Sequence, residues 1–228
     1  YTVFNLVPAF TSVIGVGAVP AIAAAAARGN TAELKKNINT VLKTAALISL
    51  PAACGLIAIG GRITEFLYDT EASAVIGGEM LTLYGFAALF AGFLVPLGGI
   101  LQALGKQNAV LLNTAAGTAV KLLVNIIAVA VPKINVMSAA LGTVLCFFVI
   151  FLLDIEVLIK ATGFAPDTAN VFLKPLVSAA LCGLAARLTV RLGSSRVVTL
   201  LAVMAAALVY AALIIALKTV AESDFPDS

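Results

Sequence analysis

Apolar residues run along this chain in blocks of about twenty, and the breaks between blocks are short and polar. Seven blocks stand out, at about residues 3–27, 41–60, 80–104, 109–131, 136–159, 171–188 and 197–217. Each is close to the roughly 20 helical residues that cross a hydrocarbon layer about 30 Å thick. The blocks are too long and too uniformly apolar for the alternating ten-residue strands of a membrane barrel. Inside a bilayer the backbone has no water to bond, so each block must satisfy its own amides as a helix. The pattern predicts an all-α polytopic membrane bundle over residues 1–217. The polar tail at 218–228, Glu222-Ser-Asp-Phe-Pro-Asp-Ser228 at its end, is expected to lie outside it on the cytoplasmic side.

Composition agrees. The 228 residues are 62% hydrophobic and 11% charged, where a soluble domain carries about a quarter charged residues. No basic tract with interleaved aromatics occurs, so no nucleic-acid partner is expected. With no histidine, the commonest metal ligand and general base is missing. Cys54, Cys146 and Cys182 each fall in an apolar run and read as small buried hydrophobes. No metal, cofactor or catalytic residue is expected. The chain starts at Tyr1 inside an apolar run, which reads as a piece of a longer protein rather than a secretory signal.

Charge orients the spans. Arg28, Lys35, Lys36 and Lys43 crowd the first break, which makes it the best cytoplasmic loop. Alternation then puts Lys106, Lys160, Lys174 and Lys218 inside, against Arg62, Lys133, Arg187, Arg191 and Arg196 outside. The three arginines at and beyond the end of the sixth span run against this bias. The second break carries Glu65, Asp69, Glu71 and Glu79, an acidic surface suited to the outer side.

Helix breakers lie within the spans. Pro8, Pro20, Pro51 and Pro96 each remove a backbone hydrogen bond and can bend a helix. Small residues also let membrane helices approach closely, so packing outweighs hinging for any single glycine. Pro20, Pro51 and the cluster Pro96, Gly98 and Gly99 are the hinge candidates. Gly15-Val-Gly17 lacks the third glycine and the strand of a nucleotide-binding turn.

Chemistry narrows to polar residues at membrane depth. Asp154 and Glu156, two apart, point to different helix faces and cannot pair; Glu156 and Lys160, four apart, suit an interfacial ion pair. No nucleophile–base pair can be assembled, and an enzyme is not expected. Lys121 sits near the middle of an otherwise uncharged 23-residue run. An ammonium there costs about 2.5–3.5 kcal/mol on insertion scales. Asn113, Gly117 and Asn125 lie at steps of four from it, on one face. Lys121, Asn113, Asn125 and Gln102 are therefore the substrate-binding candidates. Central depth makes snorkelling of Lys121 strained, whereas the asparagines are better explained by bonds between helices.

Several segments resemble a known family. Pro20-Ala-Ile to Arg28-Gly-Asn30, Ile48-Ser-Leu-Pro51-Ala-Ala-Cys-Gly55-Leu, Leu67-Tyr68, Gly99-Ile-Leu-Gln102-Ala-Leu-Gly105-Lys106 and the Asn113–Asn125 stripe resemble the C-terminal half of polysaccharide-type flippases. The chain is most similar to the stage V sporulation protein B-like group of the multidrug/oligosaccharidyl-lipid/polysaccharide exporter superfamily. One departure is clear: Ala23 and Ala24 stand where relatives often carry Ser-Glu. The resemblance implies one half of a fourteen-helix transporter that works by alternating access in the bacterial cytoplasmic membrane. It implies an undecaprenyl-linked sugar or peptidoglycan precursor as cargo, membrane lipids as surroundings, and a missing N-terminal transmembrane half as partner. Lys121 would face the cavity. A cation-coupled drug or metabolite exporter of the same superfamily and a non-transporting membrane scaffold are the competing readings.

Overall fold

The computed structural model describes residues 2–67, 71–130, 137–191 and 196–216. Among these residues there is no strand. Seven helices follow in order: α1 (Thr2–Ala27), α2 (Thr31–Leu67), α3 (Glu71–Ala103), α4 (Gln107–Val129), α5 (Ser138–Thr162), α6 (Lys174–Val190, entered through a π-helical turn at Ala169–Leu173) and α7 (Arg196–Ala216). Six are long and apolar enough to cross a membrane, and α7 carries a shorter apolar stretch, Val198–Ile214. The chain is a multi-pass membrane protein. Tyr68, Asp69, Lys133 and the tail at 218–228 lie outside the described residues.

Local chemistry sets the turns. Gly29 (φ 66°) ends α1, with Gly29 N–H on Ala26 C=O and Asn30 N–H on Ala25 C=O. That pair of bonds needs a left-handed residue, which glycine supplies without a Cβ clash. Asn30 at once caps α2, its Oδ1 accepting the Glu33 N–H at 3.2 Å while its amide donates to the Glu33 carboxylate at 3.0 Å. Gly105 (φ 71°) repeats the arrangement between α3 and α4. The cap explains why α2 starts at Thr31, ahead of the apolar run at 41: Leu34 and Ile38 already pack into the core. At 37 residues, α2 spans about 55 Å and overshoots the hydrocarbon layer.

The helices stack in the order α7, α6, α2, α3, α5, α4, with α1 lying across α2 and α3. Ile22, Ile38, Leu42, Leu97, Leu101 and Leu158 fill the main core. Phe93 (α3), Phe151 (α5) and Phe172 (before α6) close it, with ring centroids 5.2–6.0 Å apart. Small residues permit this closeness. A Cβ on Gly15 would stand 2.9 Å from Pro96 Cα, and one on Gly99 would stand 3.0 Å from the Gly15 carbonyl oxygen. The Pro96–Gly99 cluster is thus where α1 crosses α3. The α5–α6 turn rests on the first turns of α2, through Asp167 N–H on Asn39 Oδ1 at 3.1 Å and Lys35 over the Phe164 ring. It therefore lies at the same end of the bundle as the α1–α2 turn.

Candidate functional site: the polar seam between α4 and α5

Step-four spacing puts Asn113, Gly117, Lys121 and Asn125 on one side of α4, and that side faces α5. Asn113 is buried and its Nδ2 donates to Asp154 Oδ1 at 2.8 Å. One turn on, Gly117 lies directly against Ile150 and the Cys146 carbonyl, so a side chain there would push the helices apart. Two turns on is Lys121, half-buried, its backbone carbonyl against Gly142. Asn125 packs its amide on Gly142, and its Oδ1 is buried without a hydrogen-bond partner among the described residues. The opposite face of α4 exposes Leu111, Leu112, Leu122, Leu123, Ile126 and Ile127.

Lys121 has no carboxylate partner among the described residues. Asp154 does not serve, because it sits level with Asn113, and eight helical residues separate Asn113 from Lys121 by about 12 Å. The seam thus holds a carboxylate on a neutral amide at one end, a cation in the middle and an unsatisfied amide oxygen at the other. A buried carboxylate answered by a single amide is an incomplete solvation shell. It can be completed by a proton or by a small cation. A buried oxygen without a donor costs about 1–3 kcal/mol.

The other predicted positions lie apart. Gln102 is exposed beside the α3–α4 turn, and no side-chain hydrogen bond joins it to the seam. Pro20 is exposed on α1, whereas Pro96 and Gly98 are buried in α3. Non-helical angles in α2 occur at Ile59 (φ −131°, ψ 19°), eight residues beyond Pro51 and just before Gly60-Gly61. Glycine pairs weaken a helix where tight packing bends it, and Gly60 lies against Thr82. Glu156 and Lys160 do pair, at 2.6 Å on the exposed face.

The partners of two polar side chains escaped the sequence reading. Asp154 is one; the sequence places it toward the end of the fifth span, and only the structure shows it buried against Asn113 of α4. The other is Tyr210. Pro51 has no N–H, so the Leu47 carbonyl loses its intrahelical donor, and the Tyr210 hydroxyl donates to that oxygen at 2.8 Å. A proline in an apolar helix announces an orphan carbonyl four residues earlier, and that was the available signal. Tyr210, Pro51, Cys182 and Ala206 line an apolar cavity of about 480 Å³ between α2, α6 and α7.

Comparison with known proteins places the chain in a family. The MatE family model matches residues 1–127, from α1 through nearly all of α4, and so includes Asn113, Lys121 and Asn125. The lipid II flippase MurJ of Bacillus subtilis (strain 168) is 27% identical over 126 residues, which is 55% of this chain and 22% of that protein. No solved structure matches the chain. With the family model covering more than half of an all-helical membrane bundle, the chain belongs to the MatE family, within the multidrug/oligosaccharidyl-lipid/polysaccharide exporter superfamily.

Proposed function

We propose that residues 1–217 form the C-terminal bundle of a flippase that moves a lipid-linked oligosaccharide or peptidoglycan precursor across the bacterial cytoplasmic membrane by alternating access. Its partners in this reading are an undecaprenyl-type lipid substrate, the surrounding lipids and an N-terminal transmembrane half. The name of the Bacillus subtilis relative supports the substrate class. The observation that carries the reading is Lys121: a half-buried cation midway along an apolar helix of membrane length, inside the family-matching segment, without a protein counter-charge among the described residues. Such a charge attracts an anion, and the diphosphate of a lipid-linked sugar is one. Asn113, Asn125 and Gln102 would add polar contacts, Asn113 only with what its bond to Asp154 leaves free. Pro20, Pro51, Pro96, Gly98 and Gly99 would be the places where helices flex between inward and outward states.

Replacing Lys121 by Ala in the complete protein should abolish flipping at unchanged membrane abundance, while Lys121→Arg should keep part of it. Wild-type flipping by Lys121→Ala sinks the reading. The Asn113–Asp154 pair favours a second one, a cation-coupled exporter in which Asp154 takes up the coupling ion. In that case Asp154→Asn removes the ion dependence of export, and Lys121→Ala does not.

A further inference from the structure

Two of the three arginines that ran against the predicted orientation, Arg187 and Arg191, meet a neighbour in space. α2 and α6 run parallel, since Asn39 is level with Asp167 and Cys54 lies against Gly183. Arg62, near the end of α2, therefore comes level with Arg187 and Arg191 at the end of α6. Arg62, Glu65, Arg187 and Arg191 line a concavity of about 310 Å³ over Ala58, Ile59 and Val190. It opens at the end of the bundle away from the α1–α2 and α5–α6 turns.

Charge and shape point to one class of occupant. Glu65 pairs with Arg62 at 2.9 Å. Arg187 and Arg191 are exposed and have no carboxylate partner among the described residues. That leaves two guanidiniums aimed at one hollow, and guanidiniums grip phosphate oxygens in a fork. Ile59 also lines the apolar cavity between α2, α6 and α7, so the hollow and the groove meet at the bend in α2. The groove continues past Leu56, Ala207 and Tyr210. A cationic hollow at helix ends, joined to an apolar channel running toward the membrane middle, matches an anionic head with an attached hydrocarbon chain.

We propose that this is a binding site for an anionic glycerophospholipid, with its phosphate on Arg187 and Arg191 and one acyl chain in the α2–α6–α7 groove. The site is separate from the α4–α5 seam and needs no transport to be occupied. It also accounts for the charge pattern: at the end of the bundle expected to lie outside, a lipid phosphate answers these arginines.

The test is lipid retention by the full chain, purified from nanodiscs of phosphatidylcholine containing phosphatidylglycerol and read by native mass spectrometry. One phosphatidylglycerol per chain should be retained in preference to phosphatidylcholine. Arg187→Gln with Arg191→Gln should weaken retention about thirtyfold, the contribution of two basic residues to an anionic lipid. Lys35→Gln with Lys36→Gln, at the other end of the bundle, should leave it unchanged. Ala207→Phe, which fills the groove with the arginines intact, should also release the lipid. Unchanged circular dichroism keeps these variants interpretable. Equal retention by the arginine variant, no preference for phosphatidylglycerol, or full displacement by millimolar inorganic phosphate would each overturn the proposal, the last by showing an anion site without a lipid chain.

Discussion

Removing the Tyr210 hydroxyl tests how a proline in one membrane helix holds another helix in place. The Leu47 carbonyl lacks its intrahelical donor because Pro51 has no N–H, and Tyr210 supplies one at 2.8 Å from α7. Interhelical hydrogen bonds in membranes average about 0.6 kcal/mol and reach about 1.7. This one belongs at the upper end, because without it the carbonyl faces an apolar cavity with no intrahelical alternative. Tyr210→Phe should therefore cost about 1–1.7 kcal/mol. In a Pro51→Ala background, the Ala amide returns to the Leu47 carbonyl and the hydroxyl becomes redundant. Tyr210→Phe should then cost less than about 0.5 kcal/mol. The difference, a coupling of at least about 0.5 kcal/mol, is read from a double-mutant cycle. The assay is unfolding in mixed dodecylmaltoside and dodecyl sulfate, followed by circular dichroism. Equal cost in both backgrounds would refute the account, because the proline would then have nothing to do with the tyrosine's contribution.

Three further outcomes follow from other contacts. Gly117→Ala should destabilise the α4–α5 pair by about 1–3 kcal/mol, since its Cβ meets the Cys146 carbonyl at 2.9 Å, while Gly98→Ala, with Val110 at 3.7 Å, should be near neutral; matched losses in the same unfolding assay would contradict the packing. Asn113→Ala should cost about 1.5–3 kcal/mol by stranding the Asp154 carboxylate, and adding Asp154→Leu should recover most of it; a double variant no better than the single would remove Asp154 as the cause. The Asp167 carboxyl is held below the usual carboxylate range first by the Asn170 side-chain amide and then by backbone N–H groups. A depressed folded value stabilises above the unfolded pKa of about 3.9 and is lost as pH falls through the folded one. Hydrogen exchange in the α5–α6 turn should thus show no pKa-linked loosening from pH 8 to 5, with protection falling only under stronger acid; loosening near pH 6 would exclude Asp167 as the anchor.

Much of the architecture was legible before any contact was known. Apolar runs of membrane length are a local property, and local physics decides them. The Lys121 stripe was legible for the same reason, because step-four spacing defines a face whatever lies opposite.

What lay opposite could not be read along the chain. Asn113 meets Asp154, 41 residues away, and Tyr210 meets Leu47, 163 residues away. Arg62 shares a hollow with Arg187 and Arg191 only because α2 and α6 run side by side. By itself the sequence determined that this is a helical membrane protein with a costly lysine at depth, since burying charge in hydrocarbon is expensive wherever it occurs. Only the tertiary structure decided that the lysine's stripe lies against α5, that the carbonyl orphaned by the proline is answered from α7, and that Arg187 and Arg191 converge with Arg62. Those pairings depend on which helices become neighbours, and helix adjacency follows from packing across the whole bundle rather than from any one segment.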